Sequence, residues 1–201
     1  MEITVAVTGA SGAIYPYRFI RHLAADTRVT KINLVASDAG IRVLNEELPL
    51  QSINLDNLAE KLLGCQLEKF RVLNNRDTGA CIASGSYPVD AMVIIPCSMG
   101  TLGSIAHGVS RDLIQRAADV ILKERRKLLL VVRDTPFNLI HLENMRVLTL
   151  AGAVVFPAVP SFYHHPTSLE EAVDQFLYRV MSHLELAPKN AFRWLGSYRN
   201  H

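Results

Sequence analysis

The chain has 201 residues, of which 49% are hydrophobic and 20% charged, and its formal net charge is +2. This composition is that of a compact domain with a sizeable core, and it excludes a largely disordered chain. Basic and acidic residues are interspersed, so we expect no nucleic-acid-binding surface.

The cysteines and the apolar runs bear on the cellular location. Cys65, Cys81 and Cys97 are widely separated, without the spacing of a zinc site or a disulfide framework. No apolar run approaches the roughly 18 residues of a membrane span, and the N-terminus lacks a signal-peptide pattern. We therefore expect a cytoplasmic protein with no membrane insertion and no metal.

Short runs rich in valine, isoleucine and leucine predict buried strands, with helical periodicity between them. Strands alternating with helices predict an α/β fold, in which helices cover both faces of a parallel sheet. The predicted strands are 3–8, 32–37, 91–96, 128–132 and, more weakly, 153–157; the predicted helices are 13–25, 39–47, 111–123 and 139–151.

The last helix has a clear start signal, because Ser168 can cap it and Glu171 can complete a capping box. No linker divides the chain, so we predict one domain over residues 1–187. Residues 188–201 form a tail in which Phe192, Trp194 and Tyr198 are expected to pack on this domain or on a neighbouring subunit.

The turn after the first strand is a candidate anion site. Gly9 and Gly12 allow close backbone approach, Ser11 adds a hydroxyl donor, and the following helix begins with free N–H groups. The spacing is not that of the dinucleotide fingerprint GxGxxG, so a purely structural tight turn remains the alternative.

Two later strand ends carry small polar residues. Asp38, after Ser37, is suited either to a ribose hydroxyl or to capping the next helix. Ser98 and Thr101 suit a phosphate or the edge of a flavin ring. Cys97 is alternatively a nucleophile whose pKa is lowered by a helix N-terminus.

Basic residues extend the anion hypothesis. Arg116 and Lys123 lie on one charged stripe, which is either a salt-bridged solvent face or a phosphate site. Arg133 follows a predicted strand, where its planar fork suits phosphate. Arg179 edges an apolar stripe and points either to core or to solvent. The residues alone thus indicate an α/β protein with an anion-binding crevice.

Taken together, several segments of the chain resemble the UbiX-type flavin prenyltransferases. The resemblance spans nearly the whole chain in order. The segments that carry it are TGASGA at 8–13, ASGS at 83–86, PCS at 96–98, LIQRAADVILKERR at 113–126, HLENM at 141–145 and PSFY at 160–163.

The resemblance implies a Rossmann-like three-layer sandwich, FMN as cofactor and a homo-oligomer, commonly a dodecamer. The implied reaction joins a dimethylallyl group from dimethylallyl monophosphate to N5 and C6 of reduced FMN, without a metal. The product serves a UbiD-type decarboxylase, for example in ubiquinone biosynthesis.

The resemblance also assigns roles to individual residues. It implies FMN contacts by Gly9, Ala10, Ser11, Ser37, Ser98, Thr101 and Arg133. It implies that Arg116, Lys123, Arg133, Tyr163 and Arg179 hold the prenyl phosphate, partly across a subunit boundary. The implied catalytic residues are Glu47, Ser11, Tyr163 and Asp134.

Two departures and three alternatives accompany this assignment. Asp134 stands where many members have glutamate, and Pro16 where glycine is more usual. The alternatives are an oxidative decarboxylase of the related cysteine-decarboxylase flavoproteins, a non-catalytic flavin carrier and a nicotinamide oxidoreductase. The first of these expects an active histidine early in the chain, where this sequence offers His22.

Overall fold

The computed structural model describes residues 1–50, 52–65, 67–189 and 191–193. Within them, six strands alternate with helices in the predicted manner. The strands are β1 Glu2–Val7, β2 Lys31–Ala36, β3 Phe70–Asn74, β4 Ala91–Cys97, β5 Lys127–Val132 and β6 Val154–Pro157. The helices are α1 Ile14–Ala25, α2 Asp38–Glu47, α3 Leu58–Leu63, α4 Met99–Ala106, α5 Leu113–Lys123, α6 Leu139–Leu150 and α7 Leu169–His183.

The strands form one sheet in the order β3-β2-β1-β4-β5-β6, and every neighbouring pair is parallel. The chain builds outward from β1 to β3 and then returns to the other side of β1 for β4. Connections therefore leave β1 and β4 in opposite directions, which opens a crevice at their carboxyl ends.

Two cores lie on opposite faces of this sheet, and alternation along β1 divides its side chains between them. Val5 and Val7 face a core shared with α1, α2, α3 and α7, whereas Ala6 faces a core shared with α4, α5 and α6. The predicted three-layer α/β sandwich is confirmed.

The differences from the predicted elements have local causes. The edge strand β3 was not predicted because it has five residues, none fully buried, and so shows no apolar run. The capping box at α7 is wrong in one half. Ser168 Oγ accepts from the Glu171 N–H at 3.1 Å, but the Glu171 carboxylate accepts from the Thr167 N–H at 2.7 Å instead of from the cap residue.

The beginning of the C-terminal tail packs on its own chain. The Phe192 ring lies 5.2 Å from the Tyr163 ring and 5.9 Å from the His164 ring, measured between centroids. Trp194 and Tyr198 lie outside the described residues. Among the helices that the structure describes, none has the length and apolar character to cross a membrane.

Candidate functional site

The carboxyl ends of four neighbouring strands bring together the residues predicted to contact a cofactor. In sheet order, Ser37 follows β2, the glycine turn follows β1, Ser98 follows β4 and Arg133 follows β5. Ligands in open parallel sheets bind outside these strand ends, at the point where the strand order reverses. The sheet therefore gathers one site from segments that extend along the chain from Gly9 to Arg133.

In the glycine turn, Gly9 and Gly12 are each required, for different physical reasons. A Cβ on Gly9 would lie 2.5 Å from Ala39 Cβ, so the turn packs directly on the start of α2. Gly12 has φ +117°, a conformation that side chains rarely adopt. Ser11, between them, is exposed, and Ala10 closes the turn with an N–H donated to Thr8 O at 2.9 Å.

Gly9→Ala is expected to destabilise the protein, because the added methyl meets Ala39 at 2.5 Å. Overpacking of this kind costs about 1–3 kcal/mol, so we expect the melting temperature to fall by roughly 2–12 °C. Gly100→Ala is the matched control, since a Cβ there has nothing within 4 Å. The melting temperatures are measured by thermal unfolding followed by circular dichroism. Equal melting temperatures for the two variants would show that the backbone at Ala39 shifts at little energetic cost.

The N-terminus of α1 already holds an anion, and this anion belongs to the protein itself. Glu47 Oε2 accepts hydrogen bonds from the Gly12 N–H at 2.8 Å and the Ala13 N–H at 2.7 Å. Glu47 is therefore more than a solvated surface charge. Because these two N–H groups are engaged, a ligand phosphate at this turn would have to displace the carboxylate.

The surroundings of Glu47 keep it ionised. Partial burial by itself would raise its pKa, but hydrogen bonds from Ala13, the Ser11 hydroxyl and Gly12 lower it, as does the charge of Arg133. The net effect is a pKa below the usual value for glutamate. A carboxylate that accepts several hydrogen bonds favours its charged form, so Glu47 is an anion at neutral pH.

Serine hydroxyls at two strand ends cap the helices that follow. Ser37 Oγ accepts from the Gly40 N–H at 3.0 Å at the start of α2. Ser98 Oγ accepts from the Thr101 N–H at 3.3 Å at the start of α4, and lies 3.0 Å from Thr101 Oγ1. Each capping hydroxyl keeps a proton that it can donate to a ligand.

The capping interpretation of Asp38 is wrong, because the cap of α2 is Ser37. Asp38 is the first residue of the helix and pairs with Arg76 at 2.7 Å.

Arg133 carries the clearest sign of a missing ligand. Its Nε atom is buried and has no hydrogen-bond partner among the described residues. Buried polar atoms in folded proteins are nearly always hydrogen-bonded, so an exception needs an explanation. The side chain lines a cleft of about 350 Å³ together with Asp134 and Phe137. A guanidinium with an unused donor beside a cleft is suited to an oxyanion or a ring carbonyl.

Tyr15 contacts the wall of this cleft, and the sequence alone predicted no role for it. Its hydroxyl donates to Ala158 O at 3.3 Å, and Ala158 lines the cleft. Burial raises the pKa of Tyr15, while the nearby charge of Arg133 lowers it in part. No local pattern could have found this contact, because Tyr15 and Ala158 are 143 residues apart.

A second cleft of about 390 Å³ adjoins the first and holds Tyr163 and Arg179. The two clefts share Pro157 and Val159 in their walls. Arg179 is exposed toward this cleft rather than turned into the core. Across the described ranges no salt bridge joins Arg133 or Arg179 to a carboxylate, although the charge of Arg133 acts on Glu47. Two cations therefore border adjoining clefts.

Arg116 and Lys123 do not reach these clefts within one chain. Helix α5 begins beside the carboxyl end of β3, where the Leu113 N–H donates to Asn75 O at 2.8 Å. From there it runs toward the amino ends of the strands. Lys123 therefore lies near the amino ends of the strands, where it pairs with Glu124. Arg116 donates to Ala83 O at 3.2 Å and pairs with Asp119 at 3.0 Å, as the solvent-face interpretation predicts.

Two alternative roles are at odds with the structure. Cys97 is fully buried, and burial raises the pKa of its thiol to about 12, so the prediction of a nucleophile activated by a lowered pKa is wrong. His22, the early histidine that an oxidative decarboxylase would need, contacts Asp174 Oδ1 at 2.8 Å on the side of α1 that packs on α7.

In the described parts of the chain no group of three or more metal-ligating side chains is arranged to hold an ion.

Comparison with known proteins gives a family match and full-length relatives. Residues 1–175 match the Flavoprotein family model. The flavin prenyltransferase UbiX of Pseudomonas aeruginosa is 42% identical over 197 residues, which cover 96% of this chain and 93% of the relative.

Two solved structures superpose over nearly the whole chain. AnUbiX in complex with FMN and dimethylallyl pyrophosphate is 38% identical, covers 98% of both chains and gives a TM-score of 0.87. The dodecameric FMN-dependent UbiX-like decarboxylase of Escherichia coli O157:H7 is 36% identical, covers 98% of this chain and 100% of that one, and also gives a TM-score of 0.87.

Proposed function

This chain belongs to the flavoprotein family and, within it, to the flavin prenyltransferases, and we propose that it joins a dimethylallyl group to N5 and C6 of reduced FMN. The donor is dimethylallyl monophosphate and the product is prenylated FMN. The observation that carries the proposal is the unpartnered, buried Nε of Arg133, at the carboxyl edge of the sheet and beside a second cation-lined cleft.

The residues at the strand ends fit FMN. Ser37, Ser98 and Thr101 offer hydroxyl donors at helix N-termini, where an anionic group is favoured. In the proposed complex the flavin lies against the backbone of the turn at Gly9 and Ala10, and Arg133 supplies the unused donor. When bound and reduced, the flavin supplies the two ring atoms that are alkylated.

The donor phosphate is held by fixed cations. Breaking the allylic C–O bond builds negative charge on phosphate, and preorganised cations lower the barrier to this step. Arg133 and Arg179 border the two adjoining clefts of one chain, and Tyr163 lines the same cleft as Arg179. Arg116 and Lys123 complete the set only if a second copy of the chain brings its α5 to this cleft.

The reaction also requires a group that stabilises the positive charge on the departing allyl group and a base that accepts the proton released from the ring. The aromatic face of Tyr163 can shelter an allyl cation. Glu47 is ionised and hydrogen-bonded to the Ser11 hydroxyl, so this pair can accept or relay a proton. Asp134 lines the cleft beside Arg133 and is a second candidate carboxylate, and the departing phosphate is a further acceptor.

The wider setting is part of the same proposal. The chain forms a homo-oligomer in which Lys123 acts across a subunit boundary, and we take the dodecamer of the Escherichia coli relative as its form. Residues 1–187 act as the flavin domain. The recipient of the product is a UbiD-type decarboxylase in the cytoplasm. The free thiols of Cys65, Cys81 and Cys97 are consistent with such a reducing compartment.

The test is anaerobic incubation of the protein with reduced FMN and a donor, followed by mass spectrometry of the extracted flavin. Dimethylallyl monophosphate is expected to add one dimethylallyl unit, and reactions without donor or without protein are the controls. The pyrophosphate, found with AnUbiX, is tested in parallel to settle the phosphate count. A tightly bound but unmodified flavin with both donors would contradict the proposal.

A further inference from the structure

Helix α7 is joined to α1 by one carboxylate, Asp174. Arg18 on α1 binds both of its oxygens: Nε donates to Asp174 Oδ1 at 2.7 Å, and Nη2 donates to Oδ2. His22, one turn further along α1, has its Nε2 atom 2.8 Å from the same Oδ1. Bidentate pairs of arginine and carboxylate are strong and directional. This contact therefore fixes the rotation of α7 relative to α1.

The contact is shielded from solvent. The Asp174 side chain is 14% exposed, and those of Arg18 and His22 are 29% and 24% exposed. Burial raises the pKa of Asp174, but the hydrogen bonds and charges of Arg18 and His22 lower it, so that the net pKa lies below the usual value. Asp174 is thus an anion at neutral pH. Partly buried pairs are screened less by salt than surface pairs, so the contact stays closed.

The two joined helices also carry the walls of the proposed site. On α1, the ring of Tyr15 meets the ring of Phe176 on α7 edge-on, at 5.5 Å between centroids. The Tyr15 hydroxyl donates to Ala158 O in the wall of the Arg133 cleft, while Phe176 and Arg179 line the second cleft. A shift of α7 against α1 would therefore change both clefts.

Asp174 and Arg179 lie on different sides of the same helix. They are five residues apart, which places them about 140° apart around α7 and roughly 7.5 Å apart along its axis. Asp174 thus faces α1 while Arg179 borders the cleft. No salt bridge among the described residues holds the Arg179 guanidinium, so its place depends on the helix that carries it. Neither Asp174 nor Arg18 is among the described residues that line the two clefts.

We propose that Asp174 is a positioning residue, which holds Arg179 in place for the phosphate of the prenyl donor. The proposal rests on the proposed function, which assigns that phosphate to Arg179. Placement matters because a displacement of about 1 Å, caused by a change far from the reacting atoms, can cost about 10²-fold in rate. Asp174 touches no ligand itself and acts only through α7.

The test measures binding of dimethylallyl monophosphate to FMN-loaded protein by titration calorimetry. The flavin is kept oxidised, so that binding is measured without alkylation. Asp174→Asn keeps the shape of the side chain but replaces one acceptor oxygen by an NH2 group that faces a donor. We expect donor binding to weaken on the order of ten-fold, within the range of about 5–150-fold that is typical of coupling between separate sites. Arg18→Met breaks the same pair from α1 and is expected to have a similar effect.

Asp26→Asn is the matched control. The Asp26 side chain is 12% exposed and also holds an arginine in a bidentate pair, with Arg28 Nε at 2.9 Å and Nη2 at 2.6 Å. It lies beyond the end of α1 and away from both clefts. Its donor affinity is expected to stay within about two-fold of wild type, the usual error for independent sites. Circular dichroism confirms that each variant is folded.

A double-variant cycle separates positioning from a general loss of stability. Arg179→Ala removes the group through which Asp174 acts, so adding Asp174→Asn to it is expected to weaken donor binding no further than about two-fold. The proposal is overturned if Asp174→Asn binds the donor as wild type does, if Asp26→Asn loses as much affinity, or if Asp174→Asn weakens binding equally without Arg179.

Turnover of the reduced wild-type protein, assayed in parallel, tests the proposed function separately. Wild type that binds the donor but forms no prenylated flavin overturns the proposed reaction, while the binding data still decide on Asp174. Wild type that does not bind the donor overturns both proposals.

Discussion

Arg133→Met is expected to abolish most prenyl transfer while leaving the fold intact or slightly more stable. Methionine keeps much of the aliphatic volume of the side chain but removes the cation and the unused Nε donor. Loss of one preorganised electrostatic group costs about 10²–10³ in rate. No hydrogen bond of Nε to the described protein is lost, and an unpartnered buried polar atom is removed, so stability does not suffer.

The rate is measured as prenylated flavin formed per minute under anaerobic conditions, alongside the melting temperature of the ligand-free protein. Arg133→Lys separates charge from shape, because lysine keeps the charge without the planar fork. We expect it to recover part of the rate. Activity of Arg133→Met within ten-fold of wild type would remove Arg133 from the site, and a large fall in melting temperature would mean that its role is structural.

Lys123→Ala is also expected to lower the rate by about 10²–10³. This is expected although Lys123 lies near the amino ends of the strands and Arg133 lies at their carboxyl ends. The physical reason is that it acts in the cleft of a neighbouring copy, where it neutralises the leaving phosphate. Lys127→Ala is the matched control. Both lysine side chains are 47% exposed, and Lys127 pairs with Glu185 outside the clefts.

Complementation shows which chain supplies each residue. Co-expression of Lys123→Ala with Arg133→Met chains is expected to restore activity, because a site built from two copies can draw its intact residue from each. Random assembly of equal amounts makes about one site in four complete. Two inactive variants that stay inactive together would place Lys123 and Arg133 in the same chain's site or outside it.

Local signals in the sequence were enough for much of the fold. Alternating apolar strands and amphipathic helices predicted five of the six strands, and Ser168 was correctly read as a helix cap. The signal failed at β3, where an edge strand buries too little to show an apolar run. It also offered Asp38 as one possible cap of α2, whereas the cap is Ser37, because adjacent residues of similar capping propensity cannot be ranked without the backbone.

The candidate site was predictable as a list of residues but not as an arrangement. The glycine turn, the capping serines and Arg133 all follow strands, and parallel strands place their carboxyl ends at one edge. Which of these residues lie next to one another in space depends on the order of the strands in the sheet. The hydrogen bonds that the Gly12 and Ala13 N–H groups donate to Glu47 join residues 35 and 34 apart, and no local sequence pattern predicts them.

The sequence by itself thus determined five of the six strands and the helices between them except α3, because those preferences act over a few neighbouring residues. It also determined the family, through motifs spread along the whole chain. Only the tertiary structure decided that Glu47 occupies the N-terminus of α1 and that Arg133 keeps an unpartnered donor. It likewise separated Lys123 from the cleft and left apolar side chains of α6 exposed, among them Leu139, Ile140 and Leu150. These features depend on how distant segments pack in space, and packing distances between such segments are not encoded in any one of them.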